Sequence, residues 1–476
     1  MKSVNAKLAR AWTHLGPGLL PFADAASDAL PLGRLLRLSL FQVSVGMAAV
    51  LLTGTLNRVM IVELGLPAWL VSLMVALPLT FAPLRALIGF RSDVYRSALG
   101  WRRVPFIWMG TLLQFGGLAI MPFALILLSG DSQGPPIYGQ IGAALAFLLV
   151  GAGMHTTQTA GLALATDLAP EDSRPRVVAL LFVMLLLGMF FSALAFGWLL
   201  RDFSQLQLIR VVQGSAMVTM GLNLLALWKQ EVRTPGTQIT EVVPTFRQAW
   251  RQLASDGNSV RLLFAVALGS AGFTMQDVLL EPFGGQVLGL SVSSTTVLTA
   301  LLAGGTLIAF AVAARWLAGG MDPHRVAGYG ALIGIFAFAI VTVVSGLKSL
   351  WGFRVGVGLI GFGAGLFAVG TLSAAMELAR RSDSGIALGA WGAVQATATG
   401  LAIAGGGALR DLFSGLAGAG ALGSALSGPS TGYALVYQIE IFLLFATLVA
   451  IGPLARHAAP EDDVARTGFG LAEFPG

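Results

Sequence analysis

The chain has 476 residues, of which 56% are hydrophobic and only 11% charged, with a mean hydropathy of +0.80. A soluble domain could not hide that much apolar surface, and the absence of cysteine excludes disulfides, thiolate metal sites and cysteine nucleophiles. The net charge of +6 and an isoelectric point near 10.0 raise nucleic acid as a partner, but the basic residues sit at membrane edges rather than in one patch, so they read as topology signals and contacts with lipid headgroups.

The head, residues 1–34, carries Lys2, Lys7, Arg10, Asp24 and Asp28, so no uninterrupted signal-peptide core precedes a cleavage site and the head is expected to remain. Leu8, Trp12 and Leu15, at helical spacing beside Lys7 and Arg10, suit a short helix in the membrane interface; a disordered basic tail fits equally. Twelve apolar stretches follow, near 35–57, 66–90, 104–129, 138–165, 177–200, 209–228, 260–283, 290–314, 326–346, 350–376, 386–409 and 432–455. Each is long enough to span a bilayer as a helix. With the N-terminus inside, 22 of the 29 Lys and Arg fall on cytoplasmic segments and five, Arg58, Arg201, Arg210, Lys348 and Arg410, on outer loops. That asymmetry places both termini in the cytoplasm.

The spans divide into halves, 35–228 and 260–455, joined by a linker at 229–259 and followed by a tail at 456–476. In the linker, Phe246, Trp250 and Leu253 share one helical face, with Arg247 and Arg251 on another, which predicts a surface helix. Between spans two and three lies GFRSDVYRSALGWRR, with Gly89, Asp93, Arg96, Arg102 and Arg103; between spans eight and nine, Asp322 and Arg325 repeat its Asp-x-x-Arg spacing. A second echo joins Asp167 to Glu377, each followed by Leu-Ala, so an internal duplication is expected. Gly89 and Asp93 resemble the corresponding loop of the major facilitator superfamily, although Val94 stands where that superfamily carries a basic residue. Physically, Asp93 facing a helix N-terminus and Arg96 pairing with an acid would latch the halves on the cytoplasmic side; a solvated topology loop is the plainer alternative.

Charges inside a bilayer are costly, so Arg85, Asp277, Glu281 and Arg354 need partners or a wet cavity. Asp277 and Glu281 are four residues apart, hence expected on one face of span seven, which Pro282 and two glycines would then break or end. That face reads either as a binding site or as neutralisation of Arg85 or Arg354. His155 is the only histidine within a span, with Gln158 and Thr159 three and four residues on. A neutral imidazole there suits either an axial metal ligand or a hydrogen-bonded packing residue.

Five segments point further: LPFADAASDALPLGRLLRLSLFQVSVGMA, LNRVMIVELG, GFRSDVYRSALGWRRVP, GMHTTQTAGLALATD and QDVLLEPFGG. Together, over about residues 20–455, they resemble the PucC/LhaA family, the bacteriochlorophyll-delivery branch of the major facilitator superfamily in phototrophic bacteria, with length and N-terminal region leaning toward LhaA. The resemblance implies an all-α fold of twelve transmembrane helices in two six-helix halves, in the intracytoplasmic photosynthetic (inner) membrane. It implies a non-enzymatic assembly factor that binds bacteriochlorophyll as transient cargo and delivers it to nascent antenna polypeptides, the core antenna favoured, alongside pigment-synthesis or insertion machinery. His155 and Gln158 would contact the chlorin, His155 as a possible ligand of its magnesium, with Asp277 and Glu281 ordering the site and Arg85 balancing their charge. A proton-coupled transporter is the alternative. A prenyl-transferring synthase fits less well, since no paired Asp-rich motifs stand in the cytoplasmic loops. The runs AGGG near Gly405 and GFGAG near Gly363 are expected to let helices approach closely.

Overall fold

The computed structural model describes residues 30–81, 101–130, 135–170, 173–231, 257–347, 349–382 and 386–456. Among them run twelve helices and no strand. They are α1 (Leu32–Glu63), α2 (Ala68–Ala76), α3 (Val104–Leu128), α4 (Pro136–Leu168), α5 (Arg174–Leu199), α6 (Gln205–Leu227), α7 (Gly257–Gln286, with a break), α8 (Val292–Ala318), α9 (Pro323–Leu347), α10 (Leu350–Ser382), α11 (Ile386–Gly418) and α12 (Thr431–Arg456). Each predicted span overlaps one helix, in order. Ten are long and apolar enough to cross a membrane; α2 is shorter and continues as a 3₁₀ turn, Leu77–Phe81, while α11 is long but rich in glycine and alanine. The expected head and linker helices lie outside the described residues.

Local chemistry sets the helix ends. Proline opens α3, α4 and α5 in their first turn, where its missing N–H costs nothing. Ser204 caps α6 by accepting from the Gln207 amide at 3.1 Å. α8 and α11 close alike: Met321 N–H reaches Trp316 O and Ala421 N–H reaches Leu416 O, both at 3.0 Å, over Gly320 and Gly420. Both glycines have positive φ, which a side chain would resist.

The packing repeats with an offset of six helices. In the first half α3 packs on α4 and α6, and α1 on α5 and α6; in the second, α9 packs on α10 and α12, and α7 on α11 and α12. Across the halves, α5 packs on α8 and α2 on α11, two contacts that the same offset exchanges. Polar side chains tie the first bundle internally: Ser44 donates to Asn223 Oδ1 at 2.8 Å, Asn223 to Thr111 Oγ1 at 2.9 Å, and Gln114 to Thr157 Oγ1 at 3.0 Å. In lipid, where apolar surface drives little helix association, such bonds and close packing do that work. Outward-facing Trp69, Tyr138, Trp198 and Trp351 stand at one end and Trp228 and Tyr329 at the other, as interfacial belts should.

The glycine runs behave as expected. A Cβ on Gly363 would meet Gly330 O at 2.8 Å, and one on Gly406 would meet Met275 O at 2.7 Å. Gly407 lies against Ala68 and Ser72 of α2, so the AGGG run serves the contact between the halves.

Candidate functional site

Besides the bonds that tie the first bundle internally, two polar regions stand out among the described residues. The first is a joint between the halves at the end that the charge pattern assigns to the outside. α7 breaks there into a 3₁₀ turn, Met275–Val278, before resuming at Leu280. The expectation that Pro282 and the two glycines break or end the helix is met in part: the break precedes Pro282, and the helix ends at Gln286, just after Gly285. Pro282 has no N–H for Val278 O and its ring crowds that carbonyl, so the helix cannot run continuously through the preceding turn. The freed Val278 carbonyl accepts instead from Asn57 Nδ2 of α1 at 3.0 Å.

The break also separates the two acids expected on one face. Glu281 accepts from Thr299 of α8 at 2.5 Å and lies against Gly54 of α1, near Arg58. Asp277 instead accepts from Gln276 Nε2 at 2.5 Å, and Gln276 N–H donates to Glu440 of α12 at 2.7 Å. The cation beside Glu281 is thus Arg58. Arg354 lies over Trp351, 5.8 Å from its ring centroid.

Arg58 and Arg410, assigned above to outer loops, are within helices. Arg58 is 3% exposed, pairs with Glu63 and donates to Leu290 O at 3.0 Å. Arg410 contacts Asp411 and Gln286 and lies 4.6 Å from the Tyr433 ring centroid, while Tyr433 donates to Gln286 at 2.7 Å. Asp411 in turn accepts from the Trp69 amide at 2.8 Å, so a carboxylate of the second half caps a helix N-terminus of the first. α1 meets this joint through two π-helical stretches, Val50–Leu56 and Val59–Glu63, a geometry often found at functional sites.

The second region is a stripe on α4. Gly151 lies against Pro78 of α2, Gln158 donates to Gln42 Oε1 of α1 at 3.4 Å, and Leu162 packs on a cluster containing Val178, Ala309 and Leu366. Residues 151, 155, 158 and 162 share one helical face, so half-buried His155 lies on the side of α4 turned toward α1, α2, α5, α8 and α10. Gln42 is fully buried, and its Nε2 has no hydrogen-bond partner. The structure therefore brings His155, Gln158 and Gln42 to one face and leaves Asp277 and Glu281 in the joint.

Of the cytoplasmic latch, Gly89, Asp93 and Arg96 lie outside the described residues, as does Arg85 of the expected pigment site. Arg102 and Arg103 hold Asp167 of α4 at 2.6 and 3.0 Å, inside their own half rather than across the interface, which corrects that part of the expectation. Glu231 accepts from the amides of Arg102, Arg103 and Val104 at the start of α3. The physical reason is proximity: α3 and α4 are packed neighbours, and unpaired amides at a helix start attract the nearest carboxylate. In the second half Asp322 likewise acts locally, accepting from His324 N and Nδ1, both at 3.0 Å. Burial pushes the Asp322 carboxyl up, but the His324 bonds and charge, with Arg325 beside it, outweigh this and hold it below the ordinary value.

The sequence reading missed Gln42, Asn57, Arg58 and Glu440. Three are polar residues within apolar runs, a signal that was available; Arg58 stood at a span end, where an arginine is ordinary.

A family model described as PUCC protein matches residues 55–459. The chain belongs to the PUCC protein family. It is 58% identical over 96% of its length to an uncharacterized protein of the puhA-bchM intergenic region of Rhodobacter capsulatus, covering 97% of that protein. To Protein PucC of Rhodovulum sulfidophilum it is 59% identical over 83% of its own length and 89% of the relative's. A more distant relative, 29% identical over 90% of this chain and 96% of its own, is named bacteriochlorophyll synthase 44.5 kDa chain of Rhodobacter capsulatus. Among solved structures, a nucleoside transporter superposes with a TM-score of 0.64 at 13% identity, covering 88% of this chain and 99% of that one. This PUCC protein accordingly has the all-helical, twelve-helix transporter fold of the major facilitator type and is a multi-pass membrane protein.

Proposed function

We propose that this PUCC-family chain is a light-harvesting assembly factor that binds bacteriochlorophyll and delivers it to nascent antenna polypeptides, the core antenna ahead of the peripheral one. It would act in the intracytoplasmic photosynthetic membrane, with both termini in the cytoplasm and without catalysing a reaction. The observation that carries this reading is the unspent polar capacity beside His155. Gln42 offers a buried donor without a partner, and its bond to Gln158 is long enough, at 3.4 Å, to exchange readily. In an apolar surrounding, an imidazole that can ligate magnesium and amides that can hold ring carbonyls fit a chlorin. Asp277 and Glu281 lie in the joint, so their suggested ordering role reaches the stripe only indirectly, through the packing of the two halves. Since the cation beside Glu281 is Arg58, the role left for Arg85 is to hold a carbonyl of the pigment.

The test is the absorption spectrum of the protein purified from pigment-producing cells. Wild type is expected to carry bacteriochlorophyll, and His155→Ala and Gln42→Leu to insert normally but carry several-fold less, with one antenna complex reduced and pigment synthesis intact. Full pigment and antenna levels in both variants would move the site elsewhere. The rival reading, a proton-coupled transporter, draws support from the fold, and solute-driven proton uptake by reconstituted vesicles would favour it.

A further inference from the structure

We propose that Asp277 of α7 and Glu440 of α12 form a proton-binding site, independent of the pigment reading, at the break beside the inter-half joint. Gln276 bridges the two acids: its backbone N–H donates to Glu440 Oε1 at 2.7 Å and its side chain to Asp277 Oδ1 at 2.5 Å. Among the described residues, no arginine, lysine or histidine pairs with either carboxylate. Glu440 is 0% exposed and its second oxygen, Oε2, has no hydrogen-bond partner. Two further buried polar atoms are likewise unpartnered, the amide oxygen of Gln276 and the hydroxyl of Tyr437, which sits one turn before Glu440.

Two adjacent carboxylates in an apolar interior cannot both stay ionised without a counter-charge. The charged groups on the elements packed around them are already engaged. Arg58 of α1 is held by Glu63 and Leu290 O near Glu281, and Arg410 of α11 by Asp411 and Gln286. Tyr433 and Tyr437 of α12 are neutral phenols. A proton on the pair turns an orphaned carboxylate oxygen into an O–H donor, for which the unused amide oxygen of Gln276 is an acceptor. Its position has a consequence: Val278, the residue after Asp277, accepts the Asn57 bond from the other half, so proton loss acts on the turn that joins the halves.

The test uses the full chain in lipid nanodiscs, titrated from mildly acidic to mildly alkaline pH while the C=O stretch of protonated carboxyls is followed by infrared difference spectroscopy. Glu281 is also buried, so the readout is wild type minus variant. A protonated-carboxyl band persisting at neutral pH in wild type, and lost in both Glu440→Gln and Asp277→Asn, is the expected result. The two isosteric variants are independent, so one that fails to insert leaves the other as the test. Identical spectra in wild type and inserted variants would overturn the proposal, as would displacement of the band by sodium at fixed pH, which would make the ligand a metal cation.

Discussion

The joint between the halves and the α4 stripe are both polar islands in an apolar bundle, yet one is held by charged groups and the other by neutral amides. In the joint, charged groups are spent on one another and on backbone: Arg58 on Glu63 and Leu290 O, Asp411 on the Trp69 amide, Asn57 on Val278 O. On the stripe, Gln42 keeps a donor unused and the Gln42–Gln158 bond is long. The joint is held by bonds to charged groups that link the halves, even though Asn57 Oδ1, Arg58 Nε and Glu281 Oε2 keep no partner. The stripe rests instead on a long neutral amide bond, which a guest can displace at lower cost. The contrast separates residues whose loss should cost stability from residues whose loss should cost cargo.

The sharpest way to break that contrast is Arg58→Leu. Glu63 is 38% exposed and can turn to solvent. The substitution nevertheless leaves the Leu290 carbonyl unpaired and buried Glu281 without its neighbouring cation, at a cost of about 1–3 kcal/mol. The purified variant should unfold at a clearly lower temperature, and an unchanged midpoint would remove the joint's structural role. Gly407→Ala comes next, because a methyl group there would meet the Ala68 carbonyl at 2.6 Å and push α2 from α11. Overpacking of this kind costs about 1–3 kcal/mol. Thermal unfolding again reads it, and wild-type stability would mean the halves are not in contact there.

Asp411→Ala should cost about 1 kcal/mol, the usual worth of a helix N-cap; Asp411→Asn, which can still accept from the Trp69 amide, should recover most of it. His155→Ala sharpens the comparison from the other side. Replacement of a half-buried residue outside the joint should change stability by less than about 1 kcal/mol while pigment content falls. A large loss of stability would return His155 to the class of packing residues.

The smallest effect is expected at Asp322, where the cap is local and partly wet. Its folded-state pKa lies below the ordinary value, so its contribution is present above the ordinary carboxylate range and is lost as pH falls through the folded value. The stability gap between wild type and Asp322→Ala should accordingly be small at neutral pH, under about 1 kcal/mol, and should close on acidification. A gap that widens with acid would reverse the sign of the argument.

The same physics surfaced where it was not expected. An acid on a helix N-terminus of the opposite half was anticipated from Asp93, which lies outside the described residues. The described structure realises that contact with Asp411 and Trp69, at the other end of the molecule. Asp-x-x-Arg is recognisable as a repeated string, whereas Asp411 stands in an unremarked Arg-Asp pair whose partner is 342 residues away. No local spacing encodes such a meeting.

What the sequence by itself determined is the number, order and approximate limits of the membrane helices and their division six and six. Bilayer thickness and the cost of unpaired backbone in lipid leave one solution to runs of apolar residues about twenty long. His155 and Gln158 were legible for the same reason, since a polar residue in such a run announces itself. Tertiary structure alone decided which side of each helix meets which neighbour. Burial of Arg58, the divergence of Asp277 and Glu281 across a proline-induced break, and the meeting of Gln42 with Gln158 all depend on how the helices are rotated and offset. In an all-apolar span the hydrophobic pattern carries almost no information about rotation, because lipid and protein interior are equally apolar, and close packing and the pairing of buried polar groups must set it instead.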